Sequence, residues 1–393
     1  MLHYAFMFSY IAEYVEGEGM GPLQYTEEEI SNLLSQRTPE GRWAKFGPYY
    51  AMFPVDFALD VINKYSNIGD YVLDPFSGRG TTIYAASILD RQGVGIDINP
   101  LGWLYTAVKI NPANKRDVLK RLHEIDFLSK EVYANAYQEY DEFFNTCYSK
   151  RVLNFLIAAR AELDWKNNKT DRTLMGFLVV HLHGKHATSL SNQMQSVKAC
   201  GTNYALKWWK EKGFTAPDID PIKLISNKIE WRYAKGRTQF KHTKIYLSDS
   251  TEYLSKQPIR KNKYNLLFTS PPYSGVTDYF YDQWLRLWML GGVAKQQKQQ
   301  DKNKSSFSDK EHYKSLIHNV FKKAKKSLTD TASIYVRTDA RTFTQEATIK
   351  ILSDLFPEKY MEVIHRPYTK RTQTALHGDN RKKPGEIDII LTA

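Results

Sequence analysis

Cysteine is almost missing from this 393-residue sequence: Cys147 and Cys200 are the two present, far apart and without CxxC spacing. That excludes a disulfide framework and a cysteine-built zinc site, and it suits a reducing cytoplasm. Long apolar runs are also absent, and no stretch reaches the roughly 20 residues that a membrane-spanning helix needs. Met1 to Val15 is apolar and aromatic, but Glu13 and Glu16 close it with no basic leader or small-residue cleavage site, so no secretory signal is expected. Acidic residues are the scarcer charge. There are 43 Asp and Glu against 55 Lys and Arg, a formal charge of +12, which favours a polyanionic partner.

A hydrophobic content of 42% and the length allow one large domain or two. Between about 45 and 110 the pattern is α/β: a helix over Phe57 to Ile62, a strand over Tyr71 to Leu73, a helix over Thr81 to Leu89, and a strand over Gly93 to Ile98. Such alternation predicts a parallel sheet. Asn114 to Phe144 and Arg151 to Trp165 read as helical. Strand patterns resume at Lys244 to Leu247, Tyr264 to Phe268, Ala332 to Arg337, Tyr360 to His365 and Ile387 to Leu391. The expected organisation is therefore a discontinuous α/β domain, 1–114 with 244–393, carrying a mainly helical insertion at 115–243. Lys295 to Lys304 is too polar to pack and reads as a loop.

Two turns carry the chemistry. Val72-Leu73-Asp74-Pro75-Phe76-Ser77-Gly78-Arg79-Gly80-Thr81-Thr82 is a strand ending in an acid, a glycine bend and a helix start. Glycines let a ligand approach backbone closely, but a carboxylate at the strand end repels pyrophosphate, and Ile83 stands where the dinucleotide fingerprint has its third glycine. A ligand with an ammonium and a sulfonium fits better. Asp97, seventeen residues after Gly80, closes the next strand where an acid can accept from ribose hydroxyls. Taken alone, this turn is equally an ordinary strand-helix connection. The second turn, Thr269-Ser270-Pro271-Pro272-Tyr273, follows a buried-strand pattern. Its prolines fix the backbone and hold the Ser270 and Pro271 carbonyls as acceptors suited to an aromatic amine, with Tyr273 beside them to stack; a plain turn capped by Tyr273 is the alternative.

Together these motifs resemble the S-adenosylmethionine-dependent DNA amino-methyltransferases, particularly the N4-cytosine type. Asp74 to Thr82, Gly95-Ile96-Asp97-Ile98-Asn99-Pro100 and Thr269 to Tyr273 carry the likeness. Lys45 to Pro54 is similar to the family's segment over the methionine end of the donor, Ser248-Asp249-Ser250 to its acidic pre-catalytic motif, and Tyr279 to Gly292 to the stretch after the catalytic turn. The resemblance implies a Rossmann-like methyltransferase fold with a mostly parallel seven-stranded sheet. It also implies S-adenosyl-L-methionine as cofactor, and methylation of the N4 amino group of a cytosine flipped out of duplex DNA. N6-adenine methylation is the nearest alternative, and RNA amino-methylation another. Ser270, Pro271, Pro272 and Tyr273 are then catalytic. Phe53, Pro54, Asp74, Pro75, Phe76, Ser77, Gly78, Gly80, Thr81, Thr82, Asp97, Ile98, Asp249, Ser250 and Thr269 are the donor-site candidates. A prokaryotic or phage enzyme, with a cognate restriction endonuclease as a further partner, belongs to the same implication. The chemistry needs no covalent nucleophile, and neither cysteine has the Pro-Cys setting that C5-cytosine methylation requires.

Between Lys198 and Lys244, eleven Lys and Arg face four Asp and Glu, interleaved with Tyr204, Trp208, Trp209, Trp231 and Tyr233. This suits a nucleic-acid face, or equally a solvated helical cap. Ser191, Asn192, Gln193, Lys198, Lys207, Arg232 and Arg286 are candidate DNA contacts. So are Arg371 and Gln373, in a basic loop that otherwise reads as a surface hairpin. His181, His183 and His186 lack the cysteines of a zinc site, and no metal is expected.

Overall fold

The computed structural model describes residues 24–49, 52–256, 263–275, 278–298, 307–367 and 385–393. The apolar start of the chain, most of the Lys295 to Lys304 segment, Arg371 and Gln373 lie outside them. Seven strands form one sheet: β1 Tyr71–Asp74, β2 Gln92–Asp97, β3 Lys244–Leu247, β4 Tyr264–Thr269, β5 Leu328–Asp339, β6 Tyr360–Arg366 and β7 Glu386–Thr392. Their order is β3-β2-β1-β4-β5-β7-β6, as in Rossmann-like folds that wind outward from a central strand pair. All neighbours are parallel except β7, which runs antiparallel between β5 and β6.

Burial on both faces explains the near-continuous apolar strands. Val72, Leu266, Phe268, Tyr335 and Ile390 point into one core, and their strand neighbours Leu73, Leu267, Ile334, Val336, Ile389 and Leu391 into the other. This is the two-residue period of a pleated strand. Helices Lys310–Lys325 and Thr342–Leu355 cover the second face. Helices Val55–Tyr65, Thr81–Ile88 and Pro100–Ile110 cover the first. Residues 115–243 supply helices Lys115–Glu131, Glu142–Cys147, Lys150–Glu162, Lys169–His181, Thr202–Lys212 and Pro221–Tyr233. Their buried side chains, among them Leu122, Phe155, Phe177 and Ile229, merge into the first core. The helical segment is thus packed onto the sheet layer through a continuous apolar interior. Among the described residues, no helix is long and apolar enough to cross a membrane.

The strand order reverses between the parallel neighbours β1 and β4, whose carboxyl ends lie side by side. In open α/β sheets such a switch point opens a crevice at the strand ends. Asp74 and Thr269 are the residues that arrive there.

Candidate active site

Both sequence turns meet at this crevice. The Thr269 hydroxyl at the end of β4 donates to Asp74 Oδ1 at the end of β1, 2.6 Å away, across 195 residues of sequence. A cleft of about 990 Å³, counted to its open mouth, is lined from the first turn by Asp74, Pro75, Phe76, Ser77, Gly78, Arg79 and Thr81. The end of β2 adds Asp97, Ile98 and Asn99, the β3 turn adds Asp249 and Ser250, and the β4 turn adds Ser270 and Pro272.

The first bend is tight for steric reasons. Gly80 caps helix Thr81–Ile88 with φ 72°, and a β-carbon there would lie 2.4 Å from Thr106. A β-carbon on Gly102 would stand 2.6 Å from the Gly78 carbonyl, so helix Pro100–Ile110 presses on the bend from behind. Asp97 ties the bend to β2: Gly78 N donates to Oδ2 at 2.6 Å, and Asn99 N to Oδ1 at 2.7 Å. Burial pushes the Asp97 carboxyl up to about 7, opposed by those two N–H groups and helped by the nearby charge of Asp74. Burial likewise pushes Asp74 up to about 6, opposed by the Thr269 hydroxyl and the Phe76 N–H at 3.1 Å. Two buried carboxyls in one cleft make it receptive to cationic groups and hydroxyl donors. Asp249 caps the following helix through Thr251 N at 2.7 Å, and Ser250 Oγ donates to the Pro75 carbonyl.

The turn after β4 is braced by groups from later in the chain. Tyr273 donates its hydroxyl to Glu386 Oε1 at 3.0 Å, Ser274 Oγ donates to the Phe307 carbonyl at 2.8 Å, and Arg341 Nη2 donates to the Ser274 carbonyl at 2.6 Å. Asp339 holds Arg341 in turn, at 2.9 and 2.7 Å.

Phe53 lines the cleft and stacks on Phe268, with ring centroids 5.0 Å apart. Of the remaining candidates, Pro54 lines an adjoining cavity with Gly47 and Arg79. Gly80, Thr82, Thr269, Pro271 and Tyr273 do not line the cleft, and Thr269 reaches it through Asp74. Sequence reading missed Tyr49, Met52, Arg79, Asn99, Tyr279, Phe280, Phe307 and Leu316 in the lining. Tyr49 and Tyr279 stack at 5.4 Å and 19°. An aromatic in Lys45 to Pro54 and another just after the second turn were the available signals.

For several DNA-contact candidates the structure replaces the expected outward role with an inward one. Arg286 is fully buried and donates to the carbonyls of Val179, Ser196 and Val197 and to Gln283 Oε1, at 2.9, 2.6, 3.1 and 2.7 Å. Asn192 is also fully buried, donating to the Thr146 and Phe214 carbonyls, and Ser191 donates to the Asn192 carbonyl. Arg232 lies over Trp231, Phe46 and Trp43 and donates to the Arg42 carbonyl. Gln193 and Lys207 are exposed and Lys198 is half-buried. Among the described residues, no group of three His, Cys, Asp or Glu could hold a metal ion.

Comparison with known proteins bears on the same segments. A family model described as DNA methylase matches residues 19–101, the part that contains the first turn and Asp97. The Type II methyltransferase M.MthZI of Methanothermobacter thermautotrophicus is 31% identical over 118 residues, 29% of this chain and 30% of its own. M.AvaI of Anabaena variabilis, another Type II methyltransferase, is 26% identical over 313 residues, 74% of this chain and 62% of its own. These matches support a DNA methyltransferase family. The chain spans less than two thirds of the length of those relatives. Among solved structures, the rRNA methyltransferase aviRa from Streptomyces viridochromogenes aligns over 92% of both chains at 11% identity with a TM-score of 0.33.

For a methyltransferase family the indicated cofactor is S-adenosylmethionine. The cleft fits such a ligand by its polar demands. Ser77 Oγ and Asn99 Nδ2 are buried in its wall without a partner, beside the Asp74 and Asp97 carboxyls, groups of the kind that accept from hydroxyl or ammonium donors.

Proposed function

We propose that this protein is a site-specific DNA methyltransferase that uses S-adenosylmethionine to methylate the N4 amino group of a cytosine rotated out of the duplex. The observation that supports this reading is the hydrogen bond between Thr269 and Asp74, which joins the ends of β1 and β4, with Ser270 and Pro272 of the second turn lining the same cleft as the first turn.

The donor supplies an electrophilic methyl carbon on a positively charged sulfur. Asp97 accepts from ribose hydroxyls, and Asp74 adds negative potential at the strand end. Ser270 Oγ and the Pro271 carbonyl accept from the exocyclic amine. They turn its lone pair out of the ring plane and stabilise the positive charge that grows on nitrogen as the new bond forms. The product then loses a proton to become the neutral methylamine, so positioning and electrostatics suffice. Extruding the base costs about a few kcal/mol, and stacking on Tyr273 offsets roughly 1–3 kcal/mol of it. Glu386 holds the Tyr273 hydroxyl and thereby the ring's orientation. Serine at 270, where related turns carry Asn or Asp, favours cytosine over adenine.

The test is methyl transfer from labelled donor to duplex DNA of mixed sequence, followed by mass spectrometry of the released nucleosides. N4-methylcytosine is expected. N6-methyladenine alone would overturn the cytosine assignment, and label appearing in RNA but never in DNA would overturn the DNA one.

A further inference from the structure

Pro271 and Pro272 have no backbone N–H, so the turn that carries Tyr273 has few donors with which to anchor itself. Two holds reach it from the joined ends of β5 and β7. Asp339 stands directly opposite Glu386 in that antiparallel ladder, which places two carboxylates on one face of the sheet, an unfavourable pairing unless each has a partner of its own. Each has one. Asp339, buried, takes the Arg341 guanidinium in a fork, from Nε at 2.9 Å and Nη2 at 2.7 Å, and also accepts from the Arg341 N–H at 2.9 Å. The same Nη2 donates onward to the Ser274 carbonyl at 2.6 Å. Glu386 accepts from the Tyr273 hydroxyl at 3.0 Å and lies 3.7 Å from the Arg337 guanidinium, which is itself forked onto Asp388 at 2.6 and 2.8 Å.

A tyrosine held only by its hydroxyl can still pivot about that tip, and one held only by its backbone can still turn about its side-chain bonds. Holding both ends leaves one ring plane. We propose that Arg341 is a positioning residue for the base site: it grips the chain just after Tyr273 while Glu386 grips the phenol, and together they set the plane in which the ring stacks on the target base. This rests on the role given to Tyr273 above and deepens it. Arginine suits the task, because its planar fork spans both Asp339 oxygens and the carbonyl at once, whereas a lysine ammonium is a single point. Arg341 does not line the cleft, so its effect reaches the base through the ring that it aims.

A double-mutant cycle on methyl transfer from labelled donor to duplex DNA of mixed sequence tests this. Arg341→Met should lower kcat by about 10- to 100-fold with KM for the donor unchanged, and Arg341→Lys should recover part of the loss. In a Tyr273→Ala background, whose residual rate is measurable with label, Arg341→Met should change kcat by less than about 2-fold, because no ring is left to aim. The same loss in both backgrounds would overturn the proposal and make Arg341 a support for the turn as a whole. A loss confined to KM for DNA would overturn it in favour of a direct phosphate contact. If Arg341→Met does not fold, Arg341→Lys takes its place in the cycle, and failure of both to fold would overturn the proposal by making Arg341 a brace of the fold. Absence of methyl transfer by the unaltered protein would instead strike the methyltransferase reading, and this proposal with it.

Discussion

Replacing Thr269 with valine removes one oxygen from a fully buried side chain and keeps its shape. Asp74 then loses the 2.6 Å hydroxyl donor and keeps the Phe76 N–H at 3.1 Å. A hydrogen bond to a charged group is worth roughly 1.5–3 kcal/mol, and about 1.4 kcal/mol corresponds to one pH unit. From a value near 6, the Asp74 carboxyl should therefore rise by roughly one to two pH units. A carboxyl whose folded value lies above its unfolded one contributes stability that is present at low pH and is lost as pH rises through the folded value. Below about pH 6 the group is protonated in both proteins, and the variant should match the parent. Above it the parent's loss is complete while the variant's continues, to a deficit of roughly 1.5–3 kcal/mol by about pH 8.5. Urea unfolding at about pH 5.5 and about pH 8.5 measures the difference. A deficit of the same size at both pH values would refute the reasoning, because it would mean that packing and not the charged state of Asp74 uses the hydroxyl.

Affinity for S-adenosylhomocysteine should fall as pH drops through about 7, because a proton on Asp97 occupies the oxygen that ribose needs; Asp97→Asn should bind more weakly, by about 10-fold, and lose that pH dependence. Ser270→Ala combined with Tyr273→Ala should abolish methyl transfer and leave S-adenosylhomocysteine binding by calorimetry unchanged; equal loss of donor affinity would contradict their placement on the base. Arg286→Met should lower stability by roughly 3–5 kcal/mol in urea unfolding, because three carbonyls and Gln283 lose a buried donor. A variant of parental stability that lost DNA binding alone would return Arg286 to the interface.

The sheet was legible because each strand is a short apolar run with a turn signal after it. Tyr71 to Leu73, Gly93 to Ile98, Tyr264 to Phe268 and the later strands all appear within a few residues of their observed ends. The two site turns were legible because glycine, proline and aspartate at fixed offsets have few other uses. Aromatic walls were not, since Tyr49, Tyr279 and Phe307 have the same composition as core residues and only the fold aims them at the cleft. Arg286 and Asn192 misled for the opposite reason: polarity suggests an outward face, yet the carbonyls they satisfy come from distant loops. One cue was present, for Arg286 sits inside Trp284-Leu285-Arg286-Leu287-Trp288, where apolar neighbours on both sides point to enclosure.

Strand β7 is translated after the other six strands of the described sheet, yet it occupies an interior slot between β5 and β6. A nascent chain on the ribosome can assemble β1 to β5 as they emerge, but β6 must wait with no ladder partner in the sheet until residues 386–392 clear the exit tunnel. Glu386, the first residue of that late strand, is also what grips the Tyr273 hydroxyl. The brace on the Tyr273 ring therefore forms only once β7 has joined the sheet.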